Sequence, residues 1–350
     1  MAKRLVLHAG VHKTGSTYIQ EILFHNREAL ANSRVCVPST LNHGQGTLRK
    51  FAFSFHEPDF QSAFRELVLE SAEDCVLVSS EELSHAIRDH HLTREFLRDL
   101  SASHGVQVQI VAYLRRQDEL RESTFQQQAR GAYCGSIHEF EGYPFDYRPT
   151  IAAFREAADI VTLRPYERAA WRRGDVFFDL MHAAGLSLCA PILTPPGRIN
   201  ASFDRRLVLY LSAVPRERKF GCFEQVCRLS ELGTIQPDGM RFLTPPRDRL
   251  GFLERFAEAN LEIAADDAEL RDHLVCPVVS LDWTPPEPIT PAERAAADVI
   301  LAGGDEGEAE AAAAALRPAK MTRRVLRRLA RLSRATRSGA PAKAETERAR

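Results

Sequence analysis

Ten residues near the amino terminus, "HAGVHKTGST" (8–17), gather the chemistry of anion binding. Gly10 and Gly15 allow tight turns and close backbone approach. Lys13 places a point charge between them, and Thr14, Ser16 and Thr17 bring hydroxyl donors to the point where a helix is to begin. A strand that stops in such a turn and opens a helix presents unpaired N–H groups and the positive end of the helix dipole, so an anion is favoured there. A second group is "SSEELSHAI" (79–87), in which Glu81, Glu82 and His85 are able to take a proton. The same stretch also suits a helix cap through Ser80. His8 and His12 flank the glycine loop, where a histidine serves more readily as a donor or packing residue than as a base.

These groups need a scaffold. Residues 4–8 ("RLVLH") read as a buried strand, and 15–31 as a helix with Ile19, Ile22 and Leu23 on one face. "CVLVSS" (75–80) and "VQVQIVAYL" (106–114) are further strands, each followed by a helical pattern, the second at 117–129. A helix over 148–158, the strand "DIVTLRPY" (159–166) and the helix "GDVFFDLMHAAGL" follow. Strands alternating with helices predict an α/β fold with a parallel sheet covered on both faces. Residues 195–290 are more helical and richer in Pro and charge, and read as covering elements of the same domain. The expected organisation is a domain over 1–284, a Pro/Ala/Glu-rich linker over 285–316 and a basic tail over 317–350.

Composition narrows the class. Apolar residues make up 44% of 350, enough for a sizeable core. No run approaches the ~18 apolar residues of a membrane span. The opening "MAKRLVLHAGVHK" has too short an apolar core for a secretory signal, which predicts a cytoplasmic protein. Seven cysteines without a C-x-x-C pair argue against a zinc site or disulfide scaffold, and read as small buried hydrophobes; no metal site is expected. Residues 317–350 hold twelve basic residues and two acidic ones, a net +10, which leaves the body at -11 within an overall charge of -1. "MTRRVLRRLARLSR" (321–334) sets Met321, Val325, Leu329 and Leu332 at helical spacing among arginines. Such a helix either makes peripheral contact with an anionic membrane or acidic partner, or extends as a solvated tail. An acidic body and a tail without aromatics disfavour nucleic acid as a partner.

The loop departs from the nucleoside-triphosphate pattern G-x-x-x-x-G-K-[ST]: the glycines keep its spacing, but position 16 is Ser and the lysine lies earlier, at 13. "GVHKTGST" instead resembles the 5′-phosphosulfate loop of sulfotransferases that use 3′-phosphoadenosine 5′-phosphosulfate (PAPS). The second signature of that family, a strand ending in Arg with Ser eight residues later, is matched by Arg115 and Ser123 in "VAYLRRQDELRESTFQQ", with Arg116 as the competing assignment; Arg offers a planar fork suited to phosphate and Ser a short donor. "VTLRPYERAAWRRGDVFFDLMHAAGL" resembles its strand, Tyr-Glu turn and following helix. The resemblance covers roughly residues 4–190.

It implies a P-loop-type α/β domain with a helical carboxy-terminal part. Gly10, His12, Lys13, Thr14, Gly15, Ser16 and Thr17 would hold the 5′-phosphosulfate, Arg115 and Ser123 the 3′-phosphate, and Tyr166 would lie near the adenine. Lys13 would neutralise charge on the bridging oxygen, with Glu81, first after the strand's carboxyl edge, as the base, Glu82 as the close alternative and His85 third. The acceptor is expected to be a hydroxyl of a carbohydrate or glycolipid. The polar and aromatic stretch 126–147 (Gln127, Tyr133, His138, Tyr143, Tyr147) suits contact with sugar rings, without a role for any one residue. A P-loop kinase using Mg-ATP and a non-catalytic nucleotide or glycan binder are the alternatives.

Overall fold

The computed structural model describes residues 3–38, 54–131, 133–141, 143–194, 204–219 and 238–316. The basic tail lies outside them. In chain order the α/β part runs β1 (Arg4–His8), α1 (Ser16–His25), α2 (Arg27–Asn32), β2 (Val35–Cys36), α3 (Pro58–Glu70) and β3 (Cys75–Ser79). It continues through α4 (Glu82–Asp89), α5 (His91–His104), β4 (Gln107–Leu114), α6 (Gln117–Arg130), α7 (Arg148–Ala157), β5 (Ile160–Pro165) and α8 (Val176–Ala183). The five strands form one parallel sheet in the order β2-β3-β1-β4-β5. His8, at the end of β1, is level with Ser79 of β3 and Val111 of β4, and β4 runs three residues further.

Alternation along the strands builds the two cores. Leu5, Leu7, Val76, Val78, Val108 and Ile110 face one way and meet α3, α4, α5 and α7 through Phe64, Leu83, Ile87, Leu97 and Phe154. Val6, Leu77, Val111 and Tyr113 face the other way, against Ile19 and Ile22 of α1 and Phe177 and Leu180 of α8. Burying each such side chain contributes about 1.5–3 kcal/mol. Both faces are therefore covered, as expected of strands that read as near-continuous apolar runs.

α6 is unusual because its polar residues are buried too: Gln117, Asp118, Glu119, Arg121 and Glu122 are all below 9% exposed. They are covered by α9 (Arg205–Ser212), α10 (Arg216–Lys219), α11 (Pro246–Glu254), α12 (Ala257–Ile263), α13 (Ala268–Leu274) and the chain between them; the carboxylates and the amide find partners there, while the Arg121 guanidinium lies over the Phe252 ring at 4.0 Å. Gln117 and Asn260 exchange amide bonds at 2.7 and 3.1 Å. Glu122 accepts from the Leu243 and Thr244 amides at 3.0 and 2.9 Å. Burial alone would raise the Asp118 carboxyl, but Arg116, at 2.6 and 3.0 Å, and Arg249, at 3.0 Å, hold it below the ordinary carboxylate range.

Several boundaries depart from the sequence reading. The helix expected over 15–31 breaks at Asn26, whose side chain bonds back to the Ile22 carbonyl at 2.8 Å and pairs with both backbone groups of Leu193. An Asn side chain that competes with the backbone in this way ends a helix. β2 is too short for a periodic signal, whereas α3, absent from the elements expected above, sets Phe60, Phe64, Leu67 and Val68 on one face at helical spacing. Of the five described cysteines only Cys75 is buried; Cys134, Cys189 and Cys276 are exposed and Cys36 is intermediate.

The expected linker over 285–316 is corrected in its larger part. Residues 290–316, the described part of a separate compact unit, hold α14 (Pro291–Leu301) and α15 (Glu306–Leu316) packed on each other. Thr290 and Glu293 close a reciprocal capping box with Pro291 in the first turn, and Asp305 and Glu308 bond each other's backbone N–H at 2.9 and 3.1 Å. These caps, together with alanine's high helix propensity, turn a low-complexity composition into a helical hairpin.

Candidate functional site

The four groups singled out in the sequence emerge on one edge of the sheet. The loop 9–15 follows β1, Glu81–His85 follow β3, Arg115 follows β4 and Tyr166 follows β5. This is the carboxyl edge, where open α/β sheets bind their ligands.

His8 forms the floor of the loop. It is fully buried, its Nδ1 lies 2.8 Å from Ser79 Oγ, and burial lowers its pKa to about 4, so it is neutral. Gly10 is required by space: a Cβ there would lie 2.9 Å from Thr14 Oγ1 and 3.0 Å from His8 Nε2. Thr14, expected as a ligand donor, turns its hydroxyl into the loop and donates to the Val11 carbonyl at 2.5 Å. Lys13 adopts a left-handed backbone (φ 69°), a conformation that costs a residue with a side chain about 1–3 kcal/mol. Gly15 precedes α1 at φ 76°, and no side chain caps that helix; Ser16 is buried and Thr17 half-buried in its first turn. A Cβ on Gly15 would lie 3.1 Å from the Tyr166 hydroxyl. Gly15→Ala therefore combines backbone strain with a close contact, and is expected to lower stability by about 1–3 kcal/mol, read as a lower urea midpoint at unchanged slope.

Arg115 ties β4 to this loop. Its Nη1 donates to the Lys13 carbonyl at 2.9 Å, while its own carbonyl accepts from the Tyr147 hydroxyl. Its guanidinium carbon lies 5.5 Å from the Tyr166 ring centre, and Nε stands 3.5 Å from Glu119. Arg241 donates to the same Glu119 carboxylate at 2.7 Å. Arg116, the competing candidate, turns away into the Asp118 pair. Ser123 is half-buried on the stripe of α6 that carries Glu119 four residues before it and Arg130 seven after.

The charge balance of the loop is the most informative feature. The Lys13 ammonium is pushed down to about 8, first by burial, then by Arg130 and Arg115, with Glu81 opposing. Several cations are thus gathered, with Glu119 beside Arg115 and Glu81 toward Lys13 as counter-charges, and a bound polyanion would relieve the repulsion that still lowers the Lys13 pKa. Arg130 and Arg241 escaped the sequence reading because nothing in their spacing links them to the loop; helix periodicity from Ser123 was the one signal available for Arg130.

The flank toward β3 holds the protolytic groups. Glu81 accepts from Gln20 Nε2 at 2.9 Å. Ser80 Oγ accepts from the Glu82 amide at 3.3 Å, but the residue at the cap of α4 is Glu81, and no side chain caps the helix. The His12 ring points toward α4 and not into the loop: its Nε2 is 3.7 Å from Glu82 Oε2, and its ring centre is 5.0 Å from that of His85. The His12 amide donates to the Tyr143 hydroxyl at 3.2 Å. Tyr143 and Tyr147, left unassigned in the stretch 126–147, thus support the loop from both sides.

No protein-family model matches the chain, and no solved structure matches it. Among curated proteins, an uncharacterized protein of Archaeoglobus fulgidus is 28% identical over 163 residues, 43% of this chain and 43% of that one. The chain spans less than half the length of that relative. No helix among the described residues is long and apolar enough to cross a membrane.

Proposed function

We propose that the chain is a PAPS-dependent sulfotransferase of P-loop type, acting in the cytoplasm on a hydroxyl of a carbohydrate or glycolipid. One observation carries the reading: Arg115 and the glycine loop lie on one sheet edge and are joined by the 2.9 Å bond from Arg115 to the Lys13 carbonyl. Two anion-binding groups so close suit the two phosphates of a single adenosine nucleotide. The loop amides, Ser16 and Thr17 would hold the 5′-phosphate, and Arg115 with Ser123 the 3′-phosphate. Tyr166, between Gly15 and Arg115, would flank the base. Thr14 would act through its backbone, since its hydroxyl closes the loop.

Transfer of a sulfuryl group in line between two oxygens asks the protein chiefly for positioning and charge stabilisation. Lys13 would neutralise the charge growing on the bridging oxygen, supported by Arg130. A base among the groups beside α4 would receive the acceptor's proton. The basic tail at 317–350 would bring the enzyme to an anionic membrane surface where the acceptor is a glycolipid.

Ligand-dependent stability separates this reading from a kinase. A ligand at 100 times its dissociation constant adds about 2.7 kcal/mol. The product nucleotide 3′-phosphoadenosine 5′-phosphate (PAP), without metal, is expected to raise the thermal midpoint, and Mg-ATP to leave it nearly unchanged. A shift with Mg-ATP alone would favour the kinase, and PAP binding without turnover of PAPS would favour a non-catalytic binder.

A further inference from the structure

A carboxylate stands inside the proposed 3′-phosphate site. Glu119 lies four residues after Arg115 and four before Ser123, one helical turn from that serine on the same stripe of α6. Its side chain is 9% exposed and faces three guanidinium groups. Arg241 donates to Oε2 at 2.7 Å, Arg115 Nε stands 3.5 Å from that same oxygen, and Arg116 Nη2 stands 3.5 Å from Oε1. Arg115 Nε is buried and makes no hydrogen bond among the described residues, so Glu119 attracts it without bonding it. The Tyr166 phenol is raised first by burial, then lowered by the charges of Arg115 and Arg241 and raised by Glu119, which puts all three beside the ring proposed to flank the base. The dipole of α6 favours an acid in its first turn. That does not explain why Arg241, 122 positions away on the covering chain, converges on the same carboxylate.

We propose that Glu119 is an internal stand-in for the nucleotide's 3′-phosphate. It holds Arg241 and Arg115 in place until the phosphate takes them over, and its charge, kept beside the bound phosphate, limits how tightly the product nucleotide is held. The proposal rests on the sulfotransferase reading for the identity of the anion. The exchange is cheap on one side and favourable on the other. The Arg241 side chain is 56% exposed, so water screens its pair with Glu119 and the pair contributes little. A guanidinium bonds a phosphate through charge-assisted, bidentate contacts, which are stronger. Arg241 is therefore the partner that moves, while Glu119 stays buried on its helix. Arg116 does not join the exchange, because the buried Asp118 holds it at 2.6 and 3.0 Å. A carboxylate left beside the phosphate opposes it by like charge, which favours release of the product nucleotide, a step that often limits turnover.

The test titrates PAP and 5′-AMP into the full chain. Glu119→Gln keeps the shape and removes the charge. It is expected to tighten PAP about tenfold, by taking one like charge from beside the phosphate, and to slow PAP dissociation in proportion. Its affinity for 5′-AMP, which lacks the 3′-group, should change by less than about threefold. Arg241→Ala truncates an exposed side chain and should weaken PAP about tenfold, again with little effect on 5′-AMP. The two variants thus move the preference for PAP in opposite directions, whereas loss of a purely structural support would weaken binding in both. Inorganic phosphate, which needs no adenosine, should raise the thermal midpoint of Glu119→Gln more than that of wild type. A Glu119→Gln protein that binds PAP no more tightly than wild type, a gain shared equally by 5′-AMP, or an Arg241→Ala protein that keeps the wild-type preference would each overturn the stand-in. Arg241→Ala decides the matter if Glu119→Gln fails to fold. A wild-type chain that does not bind PAP would overturn the sulfotransferase reading instead, and the phosphate comparison would then decide the role of Glu119.

Discussion

Lys13→Met is expected to slow sulfate transfer from PAPS by about 10²–10³, the effect of removing one preorganised group from a developing oxyanion, while leaving the ligand-free protein no less stable. The two halves of this outcome have one cause. Lys13 is half-buried, and desolvation first, then the charges of Arg130 and Arg115, lower its pKa to about 8. Removing its charge relieves repulsion in the empty site and deletes attraction in the occupied one, so activity and stability move in opposite senses. A lysine that merely packs would lose stability on truncation and leave the rate unchanged. The pH dependence carries the same signature. Bound anions favour the protonated lysine, so PAP affinity should be full below about pH 8 and decline as pH rises past that value. The decline should be absent in Lys13→Met, as isothermal titration across pH 6–10 would read.

Arg115→Ala is expected to weaken PAP binding by about 10–10²-fold, since a hydrogen bond to a charged group contributes about 1.5–3 kcal/mol. The side chain makes the 2.9 Å bond that holds the Lys13 carbonyl, and on the proposed reading it also recognises phosphate. Arg115→Lys should not restore affinity, because an ammonium cannot serve a phosphate and a carbonyl from one planar fork. Arg116→Ala, by contrast, breaks the buried Asp118 pair and should act on stability rather than on nucleotide affinity. Equilibrium titration of PAP against both variants, alongside urea unfolding, distinguishes the two neighbours.

Much of this site was legible because strand ends and loops are local events. The apolar run 4–8 and the glycine spacing after it announce a strand, a turn and a helix. Parallel strands that alternate with helices then place Glu81, Arg115 and Tyr166 on the same edge as Lys13. Three things were not legible. Direction was one: His12 belongs to the loop by sequence but turns its ring to Glu82, a choice set by the packing of Tyr143 and α4. Distant partners were another: Arg241 reaches Glu119 across 122 positions, and no periodicity relates them. The third was the polar character of α6, which suggests a surface helix. Its buried carboxylates and amides are satisfied in large part by residues 241–260, alongside Arg115 and Arg116, so burial there depends on tertiary pairing. The hairpin at 291–316 shows the reverse error, in which composition concealed capping residues that local reasoning could have found.

The most direct measurement compares two nucleotides that differ by one phosphate. Calorimetric titration of PAP and of 5′-AMP against the wild-type chain isolates the contribution of the 3′-group. Wild type should prefer PAP by about 10–10²-fold, and that preference should collapse in Arg115→Ala while 5′-AMP binding changes far less. Equal affinity for the two nucleotides in the wild type, or a preference that survives Arg115→Ala, would contradict the claim that the loop and the arginine grip one molecule together.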